Sequence, residues 1–226
     1  MAFSRTAPRH EITYLRRRPK VGEMPAAPAP APRATSSLSL GRSAQQAPKV
    51  AMAPVRRVDG RAILGADAPT VTLDRRQSAI GSLALALFGG AGGTLSCAWE
   101  LVDGDAGLLS AALDVLVSPQ FGRRPIVQLH RRQLIVGLRH VRRLRRLLIL
   151  ASDLDESRPT RLVGELHDEG TVESPHTAVA PVVAALAVYQ VDGELVIRRE
   201  NSGFPSEEAA ASAYGFSLTW LPPVQR

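Results

Sequence analysis

The feature that most constrains this chain is a series of short apolar runs that starts after Ala62. Val, Ile, Leu and Thr dominate each run, and turn-forming residues separate the runs. The runs are TVTL (70–73), LALALF (83–88), TLSCAWELV (94–102), LDVLVS (113–118), PIVQLH (125–130), QLIVGL (133–138), LLILAS (147–152), RLVGELH (161–167), VVAALAVYQV (182–191), ELVIRR (194–199) and FSLTWL (216–221). Many short strands at fairly even spacing favour a sandwich over alternating strands and helices. The sequence therefore predicts an all-β fold, a two-sheet β-sandwich.

Local signals define two elements more closely. Asp192-Gly193 lies between two runs, and a two-residue type I′ loop needs a positive φ at both positions, so we predict a hairpin there. A short C-terminal helix is expected over residues 207–214, with Ser206 as N-cap and Gly215 after its last turn. Trp99 and Trp220 each lie in an apolar run, which predicts that both face the core.

The first 61 residues differ in composition from the rest. Residues 25–32 read PAAPAPAP, and nothing in this part repeats apolar residues with the period of a helix or a strand. Residues 1–61 contain twelve Lys and Arg against three acids, a balance of +9, whereas the remainder is about −2. We therefore expect a disordered basic Pro/Ala-rich tail or linker over 1–61 and one domain over 62–226.

Compartment and membrane signals point to the cytoplasm. Cys97 is the single cysteine, which fits a reducing compartment, and its apolar run predicts a buried, inert thiol. The first twenty residues contain no apolar stretch typical of a signal peptide. The uncharged segment 77–99 is long enough to span a membrane, but four glycines in its middle favour a hairpin instead.

A search for catalytic motifs favours a non-enzymatic protein. Neither lysine follows a glycine as a phosphate-binding loop requires, and the GGAGG run lacks the spacing and the following helix of a dinucleotide site. The chain has no G-x-S-x-G motif, and its five histidines lack the spacing of zinc ligands. Three small acidic clusters are each short of the six to eight oxygens that calcium needs. We expect no enzymatic activity and no cofactor.

The strongest candidate for binding is a segregation of charge. From Val115 to Ser152 there is no acid, yet nine arginines fall within this segment. The candidate binding residues are Arg131, Arg132, Arg139, Arg142, Arg143, Arg145 and Arg146. They predict contact with a protein partner or, as an alternative, with nucleic acid or another polyanion that binds the basic tail and the stretch 123–146. A solvated sheet edge is the plainer interpretation. No aromatic residue lies between Gly122 and Tyr189, so single-strand recognition lacks a stacking platform.

Residues 134–148 allow two interpretations. Leu134, Leu138 and Val141 share one helical face while several arginines share another, which is typical of a basic amphipathic helix. QLIVGL and LLILAS, however, are apolar at both odd and even positions, as buried strands are. We favour two strands joined by an arginine-rich connection.

From Gln133 onward, the order of elements resembles the TerD-like family of tellurium-resistance and stress-response proteins. QLIVGLRHV and RRLLILAS are similar to paired strands of that family, and RLVGELHDE to its next strand and turn. VAALAVYQVDGELVIRRENSGF is similar to its tyrosine-containing strand and hairpin, and SEEAAASAYGF to its closing helix. With TVTLDRRQS and LSCAWELVDGD, the resemblance covers about Thr70 to Trp220. It implies a diverged member with a β-sandwich and a non-catalytic role in stress-linked assemblies.

The resemblance also bears on calcium. The family's calcium site uses a D-L-D-A-S run and a G-D-N-L-T-G run, and this chain has LHRR, with Arg131 and Arg132, where the second should stand. Asp153-Leu154-Asp155 is similar to the first run but follows the LLILAS strand. We therefore expect that the calcium site is lost, with bound calcium as the alternative.

Overall fold

The structure, a computed structural model, describes residues 55–89, 92–121, 124–130, 132–177 and 180–219. Most of these residues lie in strands of two sheets, and one short helix follows the last strand, so the predicted all-β fold with a C-terminal helix is confirmed. Strands are numbered in chain order.

Two six-stranded sheets form the sandwich. The first sheet, in spatial order, consists of β1 (Arg61–Ile63), β12 (Thr171–His176), β11 (Thr160–Glu165), β3 (Ser82–Phe88), β9 (Gln133–Gly137) and β8 (Val127–His130). The second consists of β2 (Thr70–Leu73), β14 (Glu194–Phe204), β13 (Val182–Val191), β10 (Leu144–Ser152), β4 (Thr94–Leu101) and β5 (Ala106–Leu109). A small hairpin pairs β6 (Gln120–Phe121) with β7 (Arg124–Pro125). β1 and β12 pair in parallel, and every other neighbouring pair is antiparallel.

Burial explains why the strands of the two sheets differ in composition. In β3, Leu83, Leu85 and Leu87 alternate with half-exposed or exposed residues, because only one face of the first sheet meets the core. β10 and β13 are apolar almost throughout, since a second apolar cluster covers the outer face of their sheet. Ala210 and Ala211 of helix α1 (Glu207–Ala213) belong to that cluster.

Both local predictions are confirmed. Asp192 and Gly193 have φ values of 51° and 86° in the hairpin between β13 and β14. Ser206 accepts the backbone N–H of Ala209 at the start of α1, and Gly215 follows it with φ of 73°. The buried position predicted for Trp99 is confirmed as well, at 0% exposed.

Residues 134–148 form two strands rather than one helix. β9 and β10 are joined by a 3₁₀ helix, Leu138–Arg143, so the favoured interpretation is confirmed and the connection contains the arginines. The two strands belong to different sheets, however, and do not pair with each other.

The hairpin predicted within residues 77–99 is wrong. β3 pairs with β9 and β11 in the first sheet, whereas β4 pairs with β10 and β5 in the second. Leu87 and Leu95 both reach the core between the sheets, so burial is satisfied without pairing β3 to β4. No helix among the described residues is long and apolar enough to cross a membrane.

Two further strand predictions fail. In LDVLVS, backbone hydrogen bonds between Ser110 and Val115 close a turn instead, and Val117 makes a single bridge to Gln128. Of FSLTWL, residues 216–219 form no strand, and Trp220 lies outside the described residues.

Three strands, β1, β5 and β12, were not predicted from the sequence. β12, for example, contains Glu, Ser, Pro and His and lacks an apolar run.

The beginning of the domain differs from the predicted boundary. The tail predicted to be disordered lies, up to residue 54, outside the described residues. Residues 55–61, which the composition assigned to that tail, already contact both sheets. Val58 is buried, and Arg57 forms an isolated backbone β-bridge with Thr72 of the second sheet. Arg61 pairs with Thr171 in the first sheet.

Candidate functional site

The 3₁₀ helix Leu138–Arg143, which we call the arginine turn, joins the first sheet to the second. The backbone kinks at His140, whose φ of −113° and ψ of 18° are not helical, and Leu138 and Val141 on either side of the kink are both buried. Arg139, Arg142 and Arg143 are left exposed.

Backbone hydrogen bonds fix the arginine turn to both sheets. The N–H of Leu138 donates to the carbonyl oxygen of Gly81, just before β3, at 3.2 Å. The N–H of Val102, just after β4, donates to the carbonyl oxygen of Arg143 at 2.8 Å. The turn thus presents its guanidinium groups from a fixed backbone at one end of the sandwich.

Arg145 and Arg146 have internal roles. Glu100, which is 7% exposed, accepts a hydrogen bond from Nη1 of Arg145 at 2.6 Å and another from Nε of Arg146. Arg146 also donates to the carbonyl oxygens of Tyr214 (2.8 Å) and Gly215 (2.7 Å) at the end of α1. Since the guanidinium of Arg146 is used in this way, it anchors the helix and offers little to a partner.

Arg132 is also engaged within the fold. Its guanidinium donates to the carbonyl oxygens of Gly92 and Gly93, at 2.5 and 3.2 Å, in the connection between β3 and β4. It lies at the other end of β9 from the arginine turn. Arg131 lies outside the described residues. The predicted residues therefore do not form one site, and the exposed ones that the structure brings together are those of the arginine turn.

The structure adds residues that the sequence analysis did not select. Arg75 and Arg76 are exposed in the turn between β2 and β3, and Ile80 follows them with 45% of its surface exposed. Ser82 pairs with Gly137, which places this turn beside the arginine turn. The adjacent arginines in DRRQS were a visible signal, but about sixty residues separate them from Arg139 and only the strand register brings them together.

Acids border the other side of the arginine turn. Asp103 and Asp105 lie in the turn between β4 and β5, next to the exposed Val102. The Asp103 carboxylate accepts the backbone N–H of Asp105 at 3.3 Å. The arginine turn therefore has the exposed Arg75 and Arg76, together with Asp74, on the β3 side and the carboxylates of Asp103 and Asp105 on the β4 side.

The described residues do not fit the calcium site that the family resemblance implies. Asp153 Oδ2 accepts the Thr94 hydroxyl, and Asp155 Oδ1 accepts both the N–H and the hydroxyl of Ser157. The hydrogen bonds from Ser157 lower the pKa of Asp155. Within the described ranges, no group of three or more His, Cys, Asp or Glu side chains could hold a metal ion. The neighbouring carbonyl oxygens, those of Gly92 and Gly93, already accept hydrogen bonds from the guanidinium of Arg132.

Two buried titratable groups lie away from the arginine turn. Cys97 is fully buried in β4, and burial raises the pKa of its thiol, as predicted for an inert cysteine. His176 at the end of β12 is 1% exposed, and burial lowers its pKa to about 4. Its Nδ1 lies 3.1 Å from Oδ1 of Asn201, and its buried Nε2 has no hydrogen-bond partner among the described residues.

Comparison with protein-family models and with curated proteins finds no match to this chain. The resemblance to the TerD-like family therefore remains a prediction, carried by the order of elements from Gln133 onward. A fold shared by many proteins does not define activity, so function has to be inferred from the arginine turn itself.

Proposed function

We propose that this protein is a non-enzymatic interaction module of the TerD-like, stress-response type, which acts in the cytoplasm and binds a protein partner through the arginine turn. The observation that carries the proposal is the exposure of Arg139, Arg142 and Arg143 on a backbone tied to both sheets. A backbone that is already fixed loses less freedom on binding than a mobile loop, and exposed guanidinium groups can pair with carboxylates through two parallel hydrogen bonds.

A protein partner fits this surface better than nucleic acid does. Arg132, Arg145 and Arg146 already bind groups of the fold. The arginines at this end that have no side-chain partner among the described residues are Arg75, Arg76, Arg139 and Arg142. Four phosphate contacts would reduce affinity about 150-fold between 50 and 200 mM salt, below what strong polyanion binders show. Acids also border the turn on the β4 side. A carboxylate-bearing partner that covers only the arginine side avoids them.

Affinity capture with crosslinking tests the proposal. The bait is the full chain, compared with a variant that carries Arg139→Glu and Arg142→Glu. The control carries Arg158→Glu and Arg161→Glu, two exposed arginines away from the turn with the same change in net charge. Because Arg161 lies 3.6 Å from Glu173, a melting curve first verifies that this control is folded. We expect the first variant to lose protein partners that the wild type and the control retain, with nuclease treatment making no difference. Identical partners for both variants, or capture that depends on nucleic acid, would contradict the proposal.

A further inference from the structure

An exposed isoleucine lies between two groups of arginines at the end of the sandwich. The N–H of Ile80 donates to the carbonyl oxygen of Arg76 at 3.1 Å. The next residue, Gly81, accepts the N–H of Leu138 at the start of the arginine turn. The backbone at Ile80 is thus hydrogen-bonded to Arg76 on one side and, through Gly81, to the start of the arginine turn on the other.

The arginines around Ile80 are available to a partner. Among the described residues, no side chain forms a hydrogen bond or ion pair with the guanidinium groups of Arg75, Arg76, Arg139 and Arg142. Two nearby carboxylates, those of Asp74 and Asp168, accept hydrogen bonds from neutral donors instead. Asp74 accepts the N–H groups of Arg76 and Gln77, and Asp168 accepts Nε2 of Gln77 at 2.9 Å.

This arrangement has both of the contacts that a protein interface requires. Single exposed apolar side chains are common and mean little alone. Here, however, the backbone of the exposed Ile80 is tied both to the turn with Arg75 and Arg76 and, through Gly81, to the arginine turn, so a segment that places carboxylates on these arginines can also bring an apolar side chain over Ile80. Interfaces of this kind combine a desolvated apolar centre with a charged rim. A phosphate backbone would pair with the arginines and gain nothing from Ile80.

We propose that the surface formed by Ile80, Arg75, Arg76, Arg139 and Arg142 binds an acidic protein segment that carries an apolar side chain between its carboxylates. This inference rests on the proposed function and identifies the chemistry of the partner. The arginines attract and orient the segment, and Ile80 selects for the apolar side chain.

Fluorescence anisotropy with two short labelled peptides of equal charge tests the inference. One peptide is rich in glutamate with leucines between the acids, and the other has serine in place of each leucine. We expect the full-length wild type to bind the leucine peptide about tenfold more tightly. Ile80→Ser should remove this preference. The matched control, Leu113→Ser, changes an apolar side chain of similar exposure, 50% against 45%, on the turn after β5 and should keep the preference.

The outcomes separate the inference from the proposed function. If Arg139→Glu with Arg142→Glu abolishes binding of both peptides but Ile80→Ser leaves the preference intact, the inference fails and the proposed function stands. If the charge variant binds both peptides as the wild type does, the proposed function fails too. A DNA duplex that competes as well as the leucine peptide would also overturn the inference.

Discussion

At the scale of single residues, neighbouring arginines have different roles although they share one sequence run. Arg142 and Arg145 are both exposed, yet Arg145 is paired with Glu100. Arg146, one residue further, is only 24% exposed and also packs over the ring of Phe216, 4.2 Å from its centre. Alternation along β10 turns Arg146 toward the helix side of the sheet, where a carboxylate and two carbonyl oxygens meet it.

Arg146→Ala is expected to lower the free energy of unfolding by about 2 kcal/mol, because it removes several charge-assisted hydrogen bonds. The loss is limited since Arg145 still pairs with Glu100. Arg142→Ala is the control and should change stability by less than about 0.5 kcal/mol. Urea unfolding followed by tryptophan fluorescence measures both, and equal effects would show that Arg146 is not an anchor.

His176 predicts a loss of stability in mild acid. Its pKa falls from the ordinary 6.5 to about 4 in the folded state, so the folded protein binds the proton less readily than the unfolded chain. Stability therefore decreases as the pH falls through 6.5 toward 4, by about 2 kcal/mol between pH 7 and 5. Carboxylates whose pKa is lowered in the folded state, such as Asp168, also stabilise the fold, but that contribution is lost only at lower pH, as they become protonated.

Urea midpoints at pH 7 and pH 5 measure this effect. His176→Gln, which can keep a hydrogen bond to Asn201, should flatten the dependence on pH. His167→Gln, a change at an exposed histidine, should leave the slope unchanged. The assignment to His176 fails if both variants keep the slope of the wild type.

At the scale of elements, the second sheet is stabilised on both faces. Its inner face packs in the core, and its outer face is covered by α1 and by Phe216. A helix of seven residues is too short to be stable alone, so its N-cap at Ser206 and the contact of Arg146 with its C-terminal carbonyls stabilise it within the fold. β5, at the edge of this sheet, packs against the ring of Trp99 through Gly107.

Gly107→Ala should destabilise the edge strand. A Cβ at this position would lie 2.6 Å from Cζ2 of Trp99, and the fully buried ring has little room to move. We expect a loss of about 1–3 kcal/mol, as for other overpacked sites. Gly65→Ala, where an added Cβ meets no atom within 4 Å, is the control. Thermal melts compare the two, and an unchanged melting temperature for Gly107→Ala would contradict this packing.

At the scale of the whole molecule, the two ends of the sandwich differ in chemistry. The arginine turn and the turn with Arg75 and Arg76 lie together at one end. At the other end, Arg132 links the β3–β4 connection to the start of β9. Among the described residues, the first end therefore has four arginines without a side-chain partner, Arg75, Arg76, Arg139 and Arg142, whereas Arg132 at the second end is bound within the fold.

Calcium should not stabilise this protein. The Arg132 guanidinium stands beside the carbonyl oxygens of Gly92 and Gly93 and would repel the ion, and Asp153 and Asp155 accept hydrogen bonds within their own loop. A ligand present at about 100 times its Kd would add about 2.7 kcal/mol of stability, which a melting curve resolves. We expect no change with millimolar calcium. A rise that disappears in Asp153→Asn with Asp155→Asn would restore the calcium role.

The sequence by itself determined the elements whose causes are local. Positive φ at Asp192-Gly193, the caps of α1 and most strands follow from neighbouring residues, and the structure contains them. Cys97 and Trp99 were also predictable as buried, because each lies in an apolar run.

Only the tertiary structure decided which strands pair and which arginines remain exposed. An apolar run can bury one face equally well in either sheet. The apolar patterns of β3 and β4 are therefore the same whether the two strands pair with each other or lie in different sheets, as they do here. Likewise, an arginine is free or engaged according to what lies opposite it, and Glu100 and the carbonyls of Gly92 and Gly93 are far from their arginines in sequence. Ile80 joined the candidate surface for the same reason, since strand register places it beside Leu138. Contacts between residues distant in sequence depend on the packing of the whole chain, which local patterns do not encode.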